Sequence, residues 1–147
     1  MIFHHLILRV VTKILVGTII LFALYVQFHG DFSPGGGFQA GVIMAVAFII
    51  YGIVFGLTAV KKVFPEWVVH KTLAFGVLIY AGTGIATMFL GYDFLDYDAF
   101  SPAHPTVGQH WGLLVIEFGV GVTVTGVMVA IYYAFAGRPP SISDEDW

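Results

Sequence analysis

One acidic residue lies inside a long apolar stretch of the sequence. Glu117 follows Trp111-Gly-Leu-Leu-Val-Ile116, and a further apolar run continues from it to Phe135. If this stretch is a helix that begins near Trp111, Glu117 lies about one and a half turns from its outer end. An ionised carboxylate is costly in hydrocarbon, so acids inside membrane-spanning segments are rare and mark functional sites. Glu117 is therefore the first candidate for chemistry.

Small and polar residues continue from Glu117 at helical spacing. Gly121 and Thr125 follow it at i+4 and i+8, and His110 precedes it by seven residues on nearly the same face. This strip could carry a proton or sodium path, with Glu117 protonated in a dry site and ionised when a cation or water arrives. Alternatively, Glu117 hydrogen-bonds to a neighbouring helix or subunit and holds an assembly together. The sequence leaves both interpretations open.

The connection before the second apolar run is rich in glycine. It reads Ser33-Pro34-Gly35-Gly36-Gly37-Phe38-Gln39-Ala40-Gly41. Proline cannot continue a helix and glycine accepts backbone angles closed to other residues, so we expect a tight turn or a close backbone approach. Exposed amides at this helix N-terminus could instead bind an anion or line a water-filled vestibule. No Lys-Ser/Thr pair follows the glycines, which excludes a nucleotide-binding phosphate loop.

Carboxylates and imidazoles cluster in the two connections that carry no Lys or Arg. They are His29 and Asp31 in the first, and Asp93, Asp96, Asp98, His104 and His110 in the second. Carboxylate oxygens attract cations and imidazoles titrate near neutral pH, so these side chains predict an outer vestibule that concentrates sodium ions or protons. For any single member, a plain solvated loop is the preferred interpretation. Their spacing does not match a structural metal site, and we expect neither a metal nor a cofactor.

The elements that must position these residues are membrane-spanning helices. Of the 147 residues, 59% are apolar and 10% are charged, whereas soluble domains carry about 25% charged residues. Four apolar runs are each long enough to cross a bilayer, at about 7–28, 37–60, 68–90 and 111–135. The sequence therefore predicts an all-α integral membrane domain over residues 1–136, followed by a short acidic tail, 137–147.

The basic residues predict the orientation of these helices. They are Arg9, Lys13, Lys61, Lys62, Lys71 and Arg138, and all lie near one set of helix ends. By the positive-inside rule both termini are cytoplasmic, and the Gly-rich and Asp-rich connections face outward. A net charge of −3 with six Lys+Arg excludes a nucleic-acid binder, and the absence of cysteine excludes disulfides and thiolate chemistry.

At the Gly-rich connection the chain resembles the B subunit of the Mrp/Mnh-type multisubunit sodium/proton antiporters. The recurring mark of that family is a Gly-His or His-Gly step followed by Pro-Gly-Gly-Gly-Phe and a further Gly. Here it reads His29-Gly30-Asp31-Phe32-Ser33-Pro34-Gly35-Gly36-Gly37-Phe38-Gln39-Ala40-Gly41. The length, the four spans and the position of the motif agree along most of the chain. Many members have histidine where this chain has Asp31, so a role of that histidine does not carry over.

The resemblance implies a transport role rather than an enzymatic one. It implies a multi-pass subunit of a hetero-oligomeric complex in a prokaryotic inner membrane, in which inward proton flow drives sodium or another monovalent cation outward. The subunit would be needed for assembly and could line the cation or proton path. Two other functions stay open: a structural subunit of a related hydrogenase or complex-I-like assembly, and an autonomous small channel.

Overall fold

The fold is all helical. The computed structural model describes residues 2–30 and 35–138, with side chains from residue 6 onward, and no strand occurs among them. The elements are α1 (Ile2–Phe28), α2 (Gly37–Phe55), α3 (Leu57–Val63), α4 (Glu66–Phe89), a 3₁₀ turn (Tyr97–Phe100) and α5 (Pro105–Ala136). Four of these helices, α1 from Leu6 onward, α2, α4 and α5, are long and apolar enough to cross a membrane. The prediction of an all-α chain with four spans is confirmed.

The outer surface of the bundle is strongly apolar. Leu21 on α1 is 69% exposed, Leu78 on α4 is 67% exposed, and Phe89 at the end of α4 is 88% exposed. Soluble monomers rarely present such continuous apolar surface to water, whereas lipid tails solvate it without cost. The chain is therefore a multi-pass membrane protein.

Helix α5 is the element against which α2, α4 and the 3₁₀ turn pack. On one side α4 runs antiparallel to it, because Gly76 meets Thr123 while Leu73, earlier in α4, meets the later residue Gly126. Small residues at these crossings let the two backbones approach closely, which is the usual basis of helix association in lipid.

On another side of α5, α2 runs parallel to it. Gly37 lies against Glu117, Gly41 against Gly121, and Gly52 against the ring of Tyr132. Helix α1 packs mainly on α2. The α1–α2 pair therefore delivers the Gly-rich connection to the side of α5 that carries Glu117.

The end of the bundle that holds the α3 segment is closed by a small apolar core. Its fully or nearly fully buried members are Ala45, Val60, Val69, Val129 and Tyr133. The Tyr133 hydroxyl donates to the carbonyl of Phe64 at 2.7 Å, and Lys61 pairs with Glu66 at 2.6 Å. These contacts fasten the connection between α2 and α4 to the end of α5.

Three helix ends differ from the sequence-based boundaries, and the first of them is the start of α1, which lies at Ile2 rather than near Ile7. Helix α2 stops at Phe55 instead of continuing to Val60, because Gly56 adopts a φ of +93° that a right-handed helix cannot accommodate. Helix α5 begins at Pro105 rather than near Trp111, with proline in the first turn, where its missing N–H is not needed. Glu117 therefore lies about 18 Å along the axis from the start of its helix. Of the predicted acidic tail, residues 139–147 lie outside the described part.

Candidate functional site

The carboxyl group of Glu117 lies against glycines on both sides of the turn between α1 and α2. A methyl group added at Gly36 would lie 2.9 Å from Glu117 Oε1, and one added at Gly30 would lie 3.1 Å from Glu117 Oε2. A side chain at Gly37 would collide with the backbone carbonyl of Glu117. At Gly37 the neighbour is backbone and cannot give way, whereas a side chain at Gly30 or Gly36 would require the carboxyl group to shift. The three glycines and the acid thus pack as one unit, with Glu117 itself partly buried.

A strip of backbone and hydroxyl oxygens continues from Glu117 along the α2–α5 contact. A side chain at Gly41 would come within 2.6 Å of the Gly121 carbonyl. The buried Thr125 hydroxyl lies 2.8 Å from the Gly121 carbonyl oxygen and 3.2 Å from the Gly41 carbonyl oxygen, and it donates to these acceptors. The structure thus brings Glu117, Gly121 and Thr125 to one interface, as their spacing suggested.

Gln27, near the end of α1, joins the same site. Its side chain is 7% exposed, and a methyl group at Gly121 would lie 2.6 Å from its Oε1. Its Nε2 is buried and makes no hydrogen bond among the described residues. The sequence reasoning missed this residue; the available signal was an amide at the end of the apolar run Ile14–Phe28.

His110 stands apart from this cluster. It is exposed on α5, about 10 Å along the axis from Glu117 towards the beginning of the helix. Its ring packs edge-on to Trp111, with the centroids 6.0 Å apart. A role for His110 in an ion path stays a prediction.

The remaining motif residues divide between the site and the surface. Gly35 packs against Val26 of α1, Phe38 is exposed, and the His29 ring stacks on Tyr25 with centroids 5.0 Å apart. Asp31 and Pro34 lie outside the described residues. Among the described residues of the motif, the ones that contact the site are Gly30, Gly36, Gly37 and Gly41.

The acidic connection lies on another side of α5. Gly108 packs against the Tyr97 carbonyl and Gly112 against the Tyr97 ring. Gly108 is nine residues from Glu117, which turns it about 180° round the helix. The Asp-rich connection thus covers the α4–α5 pair, away from the Gly-rich connection.

Hydrogen bonds order the acidic connection locally. The Asp96 carboxylate accepts from the Asp98 backbone N–H at 3.2 Å, and Asp98 Oδ1 accepts from Gln109 Nε2 at 2.7 Å. Asp93 and His104 are exposed. Tyr97, which packs against α5, has a pKa raised by burial. Within the described ranges no group of three or more His, Asp or Glu side chains could hold a metal ion. The vestibule stays a prediction.

Comparison with known proteins assigns the chain to a family. A family model described as "Domain related to MnhB subunit of Na+/H+ antiporter" matches residues 7–130. The chain belongs to this family. The matched range contains the Gly-rich connection, Gln27, Glu117 and Thr125, so the whole candidate site lies within the MnhB domain, and the resemblance read from the Gly-rich motif is confirmed.

Individual MnhB relatives are similar over nearly the full chain. Three of them, from Staphylococcus haemolyticus, Staphylococcus epidermidis and Staphylococcus aureus, carry the name "Putative antiporter subunit mnhB2". Their identities to this chain are 37% over 137 residues, 34% over 136 and 33% over 136, and each alignment covers 91% of this chain and 96% of the relative. The similarity is therefore not confined to one motif.

Proposed function

We propose that this MnhB-family protein is a small membrane subunit of a multisubunit Na+/H+ antiporter in a prokaryotic inner membrane. Membership of the MnhB family carries this proposal, and the bacterial relatives with antiporter-subunit names support it. In such a complex, inward proton flow drives a monovalent cation outward. This chain would serve assembly and line part of the ion path, together with companion subunits that carry the rest.

The distribution of basic residues supports a cytoplasmic position for both termini. Arg9 and Lys13 lie over the Phe55 ring, 5.8 and 5.9 Å from its centroid, and Lys61 lies 5.5 Å from the Tyr133 ring centroid. These side chains gather at the α3 end of the bundle. By the positive-inside rule this end faces the cytoplasm, so the Gly-rich connection is approached from outside.

Glu117 is the residue to which we assign the exchange of protons and cations. One carboxyl group can hold a proton or, once deprotonated, attract a sodium ion, and the two occupants compete. Gly30 and Gly36 bring the backbone close to the two carboxyl oxygens. The oxygens of Gly121, Gly41 and Thr125 then offer neutral ligands further along α5.

A purely structural role is the alternative, and one contact favours it. Gly37 sits directly on the Glu117 backbone, so this region also locks α2 to α5. In that case the chain would be a scaffold, either in an antiporter or in a hydrogenase or complex-I-like assembly. An autonomous channel is the remaining candidate.

Labelling with dicyclohexylcarbodiimide separates the exchange role from the structural one. This reagent modifies protonated carboxyl groups in apolar surroundings, so we expect it to label Glu117 in the intact complex. Sodium should slow the labelling by displacing the proton. The Glu117→Gln variant should lose the labelled peptide, and the exposed Glu66 provides an internal comparison. Labelling of Glu117 that is insensitive to sodium would favour the scaffold.

The composition of the particle extracted in mild detergent tests the subunit assignment. We expect the chain to co-purify with several different membrane proteins. An active homo-oligomer without companions would support the autonomous channel, and co-purification with hydrogenase subunits would redirect the assignment to that assembly.

A further inference from the structure

Two cationic side chains of α1 meet at the last residue of α2. Arg9 and Lys13 lie one helical turn apart, and their charged groups are 5.8 and 5.9 Å from the centroid of the Phe55 ring. Both are exposed, and neither pairs with an acidic side chain of the described part of the chain. The one described acid at this end of the bundle, Glu66, is held by Lys61 at 2.6 Å. The positive charge at Phe55 therefore lacks a counter-charge among the described residues.

The length of α2 puts these cations at the level of the lipid headgroups. The helix has 19 residues from Gly37 to Phe55, which corresponds to about 28 Å. The hydrocarbon core of a bilayer is about 30 Å thick, and the headgroup region adds about 5–8 Å on each side. With α2 crossing the core, Phe55 lies at the boundary of the hydrocarbon. The charged groups of Arg9 and Lys13 then lie where lipid phosphates are found.

The protein surface around the ring is open towards the lipid. Gly56, which follows Phe55, is exposed, and a methyl group added there would meet no atom within 4 Å. Towards the bilayer centre, α1 presents Ile14 and Leu21, which are 66% and 69% exposed. Both a headgroup beside the ring and acyl chains on α1 can therefore be accommodated without displacing a described side chain.

The two cations have the chemistry that a phosphate group requires. Arginine offers parallel N–H donors that match two oxygens of a phosphate, and lysine adds a compact positive charge. Both side chains bury their aliphatic stems on apolar surface and keep the charge at the membrane boundary, and the aromatic ring stabilises the cations. Basic groups between spanning helices at this level are typical binding sites for acidic headgroups.

We propose that Arg9, Lys13 and Phe55 form a binding site for the phosphate group of an anionic phospholipid, whose acyl chains lie on the exposed apolar face of α1. The lipid supplies the negative charge that the described protein does not place at this ring. The site is independent of the ion-exchange role of Glu117, and it stands whichever way the chain crosses the membrane.

The acidic residues near the C-terminus are the competing counter-charge. Asp144, Glu145 and Asp146 lie outside the described residues, and α5 ends at the same end of the bundle as Phe55. Lipid is favoured because the membrane itself surrounds the site with phosphate groups, and because exposed apolar surface for acyl chains adjoins the cations.

Photoactivatable lipids test the occupant in the intact complex. The complex is placed in phosphatidylcholine nanodiscs with a graded fraction of phosphatidylglycerol that carries a photoreactive acyl chain. Phosphatidylcholine with the same chain is the neutral comparison, and labelling of this subunit is read after denaturing electrophoresis. We expect half-maximal labelling at a mole fraction about tenfold lower for phosphatidylglycerol, because each basic residue near the surface favours acidic lipid. Equal labelling by the two lipids would overturn the proposal.

A matched pair of double variants separates a site from diffuse attraction. Arg9→Gln with Lys13→Gln should raise the half-maximal fraction of phosphatidylglycerol about tenfold. Lys62→Gln with Lys71→Gln removes the same charge at the same end of the bundle but away from Phe55, so the shift should be less than about twofold. Lys71 lies instead over the Trp67 ring, 4.9 Å from its centroid. Equal shifts in both double variants would show diffuse attraction and reject the site.

Two further variants keep the test decisive. Arg9→Lys with Lys13→Arg retains both charges and should label like the unmodified complex. If the double glutamine variant does not assemble, Lys13→Gln alone should raise the half-maximal fraction about threefold, and no shift would reject the site.

Neutralising the acidic tail tests the competitor. Asp144→Asn, Glu145→Gln and Asp146→Asn together should change labelling by less than about twofold if lipid holds the site. Selective labelling by phosphatidylglycerol that appears only after this neutralisation would assign the site to the tail and overturn the lipid. Inorganic phosphate, compared with chloride at equal ionic strength, should not reduce the labelling; competition by it would mean that a free anion occupies the site.

Discussion

The side of α5 that meets α2 and the side that meets α4 are both made smooth by glycine, yet they differ in polar content. On the α4 side, Gly119 packs against Ile79 and Gly126 packs against Leu73. The Thr123 hydroxyl donates to the Gly119 carbonyl within its own helix. On the α2 side, the glycine contacts surround Glu117, and Gln27 and Thr125 lie close by. Close helix packing by glycine is thus common to both sides, and the buried polar groups distinguish the candidate site.

The largest effect is expected from Gly37→Ala, on the α2 side. The added methyl would meet the Glu117 carbonyl, so α2 must move away from α5 at a cost of about 1–3 kcal/mol or more. We expect most of the assembled complex to be lost and antiport per remaining complex to fall, measured by yield, thermal stability and sodium flux. Gly17→Ala on α1 is the matched control, because a methyl there meets no atom within 4 Å. A Gly37→Ala complex as stable as the Gly17→Ala complex would contradict the close contact.

Gly76→Ala applies the same change to the α4 side. Its methyl would lie 2.6 Å from the Gly119 carbonyl oxygen, so we expect a comparable loss of stability. Antiport per intact complex should nevertheless stay near the unmodified value, because the Glu117 site is undisturbed. Gly82→Ala, which meets no atom within 4 Å, is the control. If the two glycine variants lowered the flux per complex equally, the distinction between the two sides would fail.

Thr125 on the α2 side of α5 and Thr123 on the α4 side allow a test of the same difference with a smaller expected effect. Thr125→Val and Thr123→Val each remove one hydroxyl that bonds to a helix carbonyl at 2.8 Å, at a cost of about 1 kcal/mol. Thermal stability should fall by similar amounts in both variants. Only Thr125→Val should change the apparent affinity for sodium or the pH dependence of exchange. A stronger functional effect of Thr123→Val would move the ion route to the other side of α5.

The smallest effect is expected in the acidic connection. Asp98→Asn removes a charge from a surface segment, so exchange at low ionic strength should slow by about twofold or less and recover as added salt screens the charges. Exchange rates measured across a salt series provide the test. An equally large loss at high salt would mean that Asp98 acts by a direct contact rather than by attracting cations.

The sequence alone was sufficient to predict those elements whose formation depends on local composition. Four apolar runs gave four spanning helices, because lipid requires continuous apolar helices of that length. The spacing of Glu117, Gly121 and Thr125 correctly put them on one face. The helix boundaries differ in detail from the predicted ones: Gly56 alone does not reveal that it will adopt a positive φ, and Pro105 is compatible with either a loop or a helix start.

The pairing of Glu117 with the Gly-rich connection could not be read from the sequence. That pairing depends on α2 running parallel to α5, which is a property of the tertiary packing. The same holds for Gln27, whose amide is unremarkable at the end of α1 until α5 covers it. Residues far apart along the chain become a site only when the helix order is known.

The role of the Glu117 carboxylate in exchange is best measured as sodium-driven proton movement by the purified complex carrying Glu117→Gln. Glutamine keeps the shape of the side chain but can neither release a proton nor pair with a cation as a carboxylate. In proteoliposomes containing equal amounts of intact complex, we expect exchange to fall by at least about a hundredfold, which corresponds to losing roughly 2.7 kcal/mol of transition-state stabilisation. Exchange at the unmodified rate from a fully assembled Glu117→Gln complex would contradict it.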